Sequence, residues 1–447
     1  MEYNTTEQPF VPAVQLLHKG TIGTVSVSTM NDPQEATADE TACRATWLEK
    51  TASLLDKMLS SANCPAPHKE SYMAFHTQTL VPLMGPYPQK FRSVVTRSGL
   101  PLEFSANYTQ HSKGDPTWRI GFEPVSMASG SPGDPYNQVA MSALLSSLKS
   151  LNLRGYDTGL FEHFVARHTV NQPERDSLGG KQLDGSDISR SQVAFGFDLK
   201  DGQIAVKGYT FPALKCKVTG KEFGTLFRDS IYPLIGCMGG DHTQASFDTI
   251  DEYMKETSGW SDWSFFSWDC VAPAKARLKL YSSTNLVKWS KMEEIWTLGG
   301  RVVGESNMQG LTYLRRLWEL VQIKDGYRAF TGGFDNDTDS TPTPVLWNYE
   351  IRPGSPEPLT KVYLPIHGEN DLMVVRGVGQ FLEEIGLVKT GRSYVQTVRD
   401  YYPGRNLSET ACLTSWLSFA YTEATGVYLT VYYHSSFDYP WAEKEEK

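Results

Sequence analysis

Apolar residues recur along this chain with two different periods, and each period predicts a different kind of element. Over residues 46–60, Trp47, Leu48, Leu54, Leu55, Met58 and Leu59 fall on one stripe of an α-helix. The stripe returns in Leu144, Leu145, Leu148 and Leu151, in Leu311, Leu314, Leu317, Trp318 and Val321, and in Val374, Val375, Val378, Phe381, Leu382 and Ile385. These segments predict amphipathic helices, each with one face to bury.

Between them lie short segments of period two, in which alternate side chains share a face. In residues 100–108, Leu102, Phe104 and Ala106 oppose Glu103, Ser105 and Asn107; in 117–122, Trp118, Ile120 and Phe122 oppose Thr117, Arg119 and Gly121. Lys207 and Tyr209 share a face in 206–211. Arg277, Lys279 and Tyr281 oppose Leu278 and Leu280, and Lys361 and Tyr363 oppose Val362 and Leu364. In 427–433, Tyr428, Thr430 and Tyr432 oppose Val427, Leu429 and Val431. Lys-x-Tyr thus occurs at 207/209, 279/281 and 361/363, at intervals of 72 and 82 residues, and 71 more lead from Lys361 to Tyr432. Helical stripes followed by strands at such intervals suggest an internal structural repeat. The Pro/Gly/Ser-rich stretches at 129–135 and 352–358 read as loops.

An ordinary half-exposed sheet sends its charged face to solvent and its aliphatic face to the core. Solvated faces mix Glu, Lys, Thr and Ser, whereas these carry Lys or Arg with Tyr two residues on, in segment after segment. A closed barrel ringed by helices reverses the arrangement, placing aliphatic side chains under the helices and the polar, aromatic face in the lumen. The expected fold is therefore an α+β barrel with a cationic, tyrosine-lined interior. Cationic groups converging there repel one another unless an anion joins them, which suggests a phosphate or diphosphate ligand. Tyrosines beside them offer hydroxyl donors and electron-rich faces, and such a face attracts a carbocation by roughly 0.5–2 kcal/mol. A diphosphate leaving group and a shielded allylic cation satisfy both halves. Glu103, on the polar face of an early strand, can accept a hydrogen bond from a nucleophile's N–H and raise its electron density. Standing alone it reads as a surface carboxylate.

Composition narrows the partners. The 447 residues are 40% hydrophobic and 21% charged, which describes a globular chain and excludes disorder or coiled coil for the whole. Residues 1–38, rich in Thr, Ser, Asn and Pro, read as a mobile N-terminal arm, with residues 39–447 as a single domain. A formal charge of −9 argues against a general nucleic-acid surface. Neither a basic-then-apolar leader nor a bilayer-length apolar span is present, so a cytoplasmic protein without a membrane partner is expected. The sequons at Asn4, Asn107, Asn336 and Asn406 are then chance matches. The six cysteines are scattered without a C-x-x-C pair, which points to reduced thiols and no metal site. No D-D-x-x-D, P-loop, G-x-S-x-G or H-E-x-x-H motif occurs. Asp335, Asp337 and Asp339 begin like an EF-hand loop, but Ser340 replaces the turn glycine and Leu346 the bidentate Glu, so an exposed acidic loop is expected. His367 is expected to shape the turn into the helix that follows it.

Nine segments carry a resemblance. They are Leu80-Val-Pro-Leu-Met-Gly-Pro86, Leu100-Pro-Leu-Glu-Phe-Ser105, Arg119-Ile-Gly-Phe-Glu-Pro124, Lys207-Gly-Tyr-Thr-Phe-Pro212, Arg277-Leu-Lys-Leu-Tyr281, Trp296-Thr-Leu-Gly-Gly300, Lys361-Val-Tyr-Leu-Pro365, His367-Gly-Glu-Asn-Asp-Leu372 and Val427-Tyr-Leu-Thr-Val-Tyr-Tyr433. In this order, from about residue 71 to 436, the chain resembles the fungal indole prenyltransferase family of the dimethylallyltryptophan synthase type. The resemblance implies the ABBA fold, a ten-stranded antiparallel barrel of repeated ααββ units with a polar lumen. It implies Glu103 as the carboxylate that binds the indole N–H, with Met84 also at the acceptor. Arg119, Lys207, Arg277, Lys279 and Lys361 match the diphosphate cradle, and Tyr209, Tyr281, Tyr363 and Tyr432 the shield around the dimethylallyl cation. It further implies Friedel–Crafts alkylation of an indole-containing small molecule by dimethylallyl diphosphate as co-substrate, with no cofactor or metal required, in indole alkaloid biosynthesis. A monomer or homodimer is expected.

Two departures bear on the acceptor. Family members that act on free tryptophan carry a Lys on the strand before the first Lys-x-Tyr, where this chain reads Gln192-Val-Ala-Phe-Gly-Phe197. They also place an Arg for the carboxylate before the Arg-x-Lys-x-Tyr strand, where residues 261–268 hold none. The chain looks closer to members that prenylate tryptophan-containing cyclic dipeptides, whose carboxyl group is already an amide. Free tryptophan, another tryptophan-derived amide, tyrosine and phenols are the alternative acceptors, and a phosphometabolite-binding barrel without catalysis is the alternative of another class.

Overall fold

Alternation along the strands builds a closed antiparallel barrel of ten strands, seen in a computed structural model that describes residues 36–62, 64–112, 116–178, 190–261, 263–330 and 343–436. The strands are β1 (Leu102–Thr109), β2 (Thr117–Phe122), β3 (Val193–Lys200), β4 (Gln203–Thr210), β5 (Phe265–Asp269) and β6 (Leu278–Thr284). After the short pair β7 (Leu286–Val287) and β8 (Gly326–Tyr327), which lies outside the barrel, come β9 (Val345–Ile351), β10 (Leu359–Leu364), β11 (Thr414–Thr422) and β12 (Gly426–Tyr433). Around the barrel the order is β1-β12-β11-β10-β9-β6-β5-β4-β3-β2. Because every neighbour is antiparallel, β2, β4, β6, β10 and β12 all run in one direction.

Each hairpin is preceded by helices whose apolar stripes cover it. Ala38–Ser61 and Ala66–Phe75 precede β1, Ala140–Ser150 and Gly159–His168 precede β3, and Phe223–Ile231 and Asp241–Glu256 precede β5. Trp289–Trp296 and Glu305–Leu320 precede β9, and Asp371–Glu384 and Val388–Tyr401 precede β11. The repeat expected from the Lys-x-Tyr spacing is therefore an ααββ unit used five times. The first helix begins with a capping box, Thr37 and Glu40 each satisfying the other's backbone N–H. Residues 1–35 of the expected arm lie outside the described residues, as does the Asp335–Asp339 loop.

The aliphatic and aromatic residues of the outward face are buried under these helices. Leu102, Phe104, Phe122, Phe197, Leu278, Val362, Phe419 and Leu429 are all essentially inaccessible, and their removal from water at roughly 25 cal/mol per Å² is the main force closing the structure. The packing leaves no slack at Gly208, where an added Cβ would sit 2.3 Å from Cζ2 of Trp268 on the neighbouring strand. Alternation predicted β1, β2, β4, β6, β10 and β12; it did not single out β3, β5, β9 and β11. Among the described residues no helix is long and apolar enough to cross a membrane, and none of the six cysteines is in a disulfide.

Candidate active site

Pairing within each hairpin, with a two-residue step from one hairpin to the next, arranges the inward side chains in three stacked rings, two residues or about 7 Å apart along each strand. One ring pairs Glu103 with Gly121, Ala194 with Tyr209, Phe265 with Tyr281, Leu346 with Tyr363 and Trp416 with Tyr432. The next pairs Ser105 with Arg119, Gly196 with Lys207, Ser267 with Lys279, Asn348 with Lys361 and Ser418 with Thr430. A third pairs Asn107 with Thr117, Asp198 with Ala205, Glu350 with Leu359 and Ala420 with Tyr428, and Asp269 reaches Arg277 there through Asp269 N to Arg277 O at 3.2 Å. The strands bearing Lys-x-Tyr run the same way, so every Lys precedes its Tyr in the same direction. Lys and Tyr therefore gather in separate rings.

The rings enclose a cavity of about 490 Å³, within the size range of small-molecule sites. Its wall includes all five predicted cations, all four predicted tyrosines and Glu103. Met84 is not brought there. It is fully buried in the apolar core, bridges to Val125 and is not among the residues that line the cavity.

The tyrosines form a continuous belt. Ring centroids are 6.3 Å apart for Tyr209 and Tyr281, 6.2 Å for Tyr281 and Tyr363, and 6.0 Å for Tyr363 and Tyr432. Phe265 stacks on Tyr281 at 4.0 Å and Trp416 meets Tyr363 edge-on at 6.4 Å. Burial raises the phenols of Tyr209, Tyr363 and Tyr432, so these three present neutral, electron-rich rings.

The cations are staged by acids the pattern did not reveal. Asp198 lies 2.9 Å from Nε of Arg119 and 2.5 Å from Nζ of Lys207. Arg277 holds Asp269 by two bonds, of 2.7 and 3.0 Å. Glu350 is 3.6 Å from both Arg277 and Lys279 and 2.7 Å from Nε of Arg352. Burial alone would raise these carboxyls, but the neighbouring cations win and hold Asp198 and Asp269 well below the usual range and Glu350 at about 2. Lys361 differs: among the described residues it makes no ion pair and faces the rings of Tyr428 at 4.8 Å and Tyr363 at 5.6 Å. Enclosure in the barrel, then Arg119, Lys279 and Lys207, depress its ammonium well below the usual lysine value. Tyr428, which sequence reasoning placed on this face without a role, also hydrogen-bonds Arg119.

Glu103 stands in the tyrosine ring, at the position that Ala194, Phe265, Leu346 and Trp416 hold in the other repeats. Burial pushes its carboxyl up to about 8, against a hydrogen bond from Ser415 at 2.9 Å. One signal in the sequence pointed to Asp198: Asp201-Gly202, both with positive φ, closes the β3–β4 hairpin. Read as a tight primed turn, it sets Lys200 opposite Gln203 and hence Asp198 and Gly196 opposite Ala205 and Lys207.

Comparison with known proteins agrees with this architecture. The tryptophan dimethylallyltransferase family profile matches residues 44–397. Prenyltransferase phqI of Penicillium fellutanum is 51% identical over 420 residues, covering 90% of each chain. Deoxybrevianamide E synthase notF of an Aspergillus species is 43% identical over 405 residues, 89% of this chain and 88% of that one. The crystal structure of NotF in complex with brevianamide F and DMSPP superposes with a TM-score of 0.79 at 38% identity, covering 92% of this chain and 97% of that one. The barrel is thus the ABBA fold, and the chain is an aromatic prenyltransferase belonging to the tryptophan dimethylallyltransferase family.

Proposed function

We propose that this enzyme transfers a dimethylallyl group from dimethylallyl diphosphate to the indole ring of a tryptophan-containing cyclic dipeptide, as a single domain spanning residues 39–447 in the cytoplasm. The observation that carries the proposal is the stacking of a cation ring directly against a tyrosine ring that contains Glu103. Arg119, Lys207, Lys279 and Lys361, with Arg277 one ring away, hold the diphosphate and stabilise the charge it gains as the allylic C–O bond breaks. This preorganised charge does the work without a metal ion. The dimethylallyl cation is left against the faces of Tyr209, Tyr281, Tyr363 and Tyr432, each attracting it by roughly 0.5–2 kcal/mol while excluding water. Glu103 accepts the indole N–H, enriching the ring that attacks the cation, and loss of the ring proton restores aromaticity.

The acceptor assignment draws on the wall opposite the first Lys-x-Tyr. Ala194 and Gly196 face the cavity there, and on β5 Phe265 lines it, with Ser267 opposite Lys279 two residues on, so these strands offer a free α-carboxylate no cation. NotF, named for deoxybrevianamide E synthesis and crystallised with brevianamide F, supports the same acceptor class. The test is product formation from dimethylallyl diphosphate with excess EDTA, offering brevianamide F, other tryptophan-containing cyclic dipeptides, free tryptophan, tyrosine and simple phenols. A single dimethylallyl addition to a cyclic dipeptide, undiminished by chelator, is expected. Preference for free tryptophan would overturn the acceptor, and loss of product with EDTA the metal independence.

A further inference from the structure

Among the described pairings of the barrel, the register slips within one strand pair. Thr414 pairs with Tyr433 and Trp416 with Tyr432, leaving Ser415 as an extra residue in β11. Such a bulge re-aims successive side chains and is common beside active sites. Here Thr414 turns to the helix Asp371–Glu384, its hydroxyl donating to Asp371 Oδ1 at 2.7 Å. The backbone N–H groups of Leu413 and Thr414 donate to the same carboxylate at 3.2 and 3.0 Å, so the buried Asp371 pins the entry to the strand. Ser415 is thereby released from the ladder, and its hydroxyl donates to Glu103 Oε1 at 2.9 Å, both residues being buried. Among the described residues it is the donor that Glu103 has.

We propose that Ser415 is a positioning residue for prenyl transfer: its hydroxyl fixes the Glu103 carboxylate with Oε2 left for the acceptor N–H and favours the charged form that accepts that bond. The inference rests on the reading of Glu103 as the indole acceptor. Burial drives the Glu103 carboxyl up, and Ser415 acts in the opposite sense. Among the other ionisable groups, Tyr432 on β12 interacts electrostatically with Glu103, and the same cavity is lined by Arg97 and Arg119 together with the remaining cations and tyrosines of the three rings, Asp198 and Glu350. Removing the hydroxyl therefore moves ionisation of Glu103 to higher pH.

The experiment is the pH profile of kcat/KM for Ser415→Ala, Ser415→Thr and the parent, with saturating dimethylallyl diphosphate and the best cyclic dipeptide acceptor. The acidic limb of Ser415→Ala is expected to move up by about one pH unit, with about tenfold lower activity at neutral pH that recovers in alkali. Ser415→Thr should keep the parental limb, and inorganic diphosphate should bind all three alike. An unmoved limb in Ser415→Ala, or the same loss in Ser415→Thr, overturns the proposal. Glu103→Gln measured in parallel separates the two readings. Full turnover by that variant sinks the role of Glu103 itself, whereas its inactivity beside an unmoved Ser415→Ala limb removes only Ser415.

Discussion

Phe265 and Phe266 are consecutive in β5 and lie on opposite sides of the barrel wall. Phe266 is fully buried on the outside, with ring centroids of Phe164, Phe227 and His168 at 4.6, 5.5 and 5.2 Å. Phe265 lines the cavity and stacks on Tyr281. The outer face is close-packed from every side, so it holds the fold. The inner face gathers ammonium, guanidinium and carboxylate groups that oppose burial, and the proposed chemistry is assigned to those groups. A strand of period two lets one backbone carry both without either compromising the other.

The change expected to break this division most sharply is Glu103→Gln, which should lower turnover about 10²–10⁴-fold while inorganic diphosphate still binds. Its effect on stability has the opposite sign. The folded barrel raises this carboxyl from 4.5 to about 8, so the parent loses stability as pH climbs through that interval, because the unfolded chain releases the proton first. Thermal melts should show the amide variant above the parent beyond pH 8 and level with it below about pH 4.5. Equal melting at every pH would contradict the burial argument.

The paired phenylalanines give the next effect. Phe266→Ala should cost about 3–5 kcal/mol in denaturant unfolding, whereas Phe265→Ala should cost clearly less and alter acceptor KM instead. Comparable losses would mean that the inner ring also holds the fold. Lys361→Met is expected to weaken diphosphate binding about tenfold in titration calorimetry and to leave the melting temperature unchanged or higher, since it removes an enclosed ammonium that makes no ion pair among the described residues. Destabilisation would show that the ring contacts of Lys361 outweigh its desolvation. The smallest effect is proton uptake on diphosphate binding. The anion reverses the depression of the Lys361 ammonium, so part of a proton should be taken up below the ordinary lysine range, read from binding heats in HEPES and Tris buffers. Proton release would have the wrong sign.

The sequence disclosed half of the active site, and the reason is visible in the strands. β4, β6 and β10 repeat Lys-x-Tyr beside aliphatic neighbours, and β12 and β2 carry related faces, so both their period and their chemistry stand out. The intervening strands lack a common signature. β3 presents Ala194, Gly196 and Asp198 inward and Phe195 and Phe197 outward, so most of it reads as apolar on both faces. The acids Asp198, Asp269 and Glu350 sit on these quieter strands and were missed with them. Met84 shows the converse case: it belongs to a recognisable segment, yet its side chain is not on the cavity wall.

What the sequence determined by itself was which side chains share a face, because strand geometry fixes that locally. It also determined that those faces recur, and hence that cations and tyrosines had to meet inside something closed. The tertiary structure decided which residues of different strands stand opposite one another. Register, barrel closure and the slip at Ser415 depend on pairing between segments up to hundreds of residues apart, which no local pattern encodes. That is why the tyrosine belt, the acids beneath the cations and the hydroxyl on Glu103 emerge only when the ring of strands is shut.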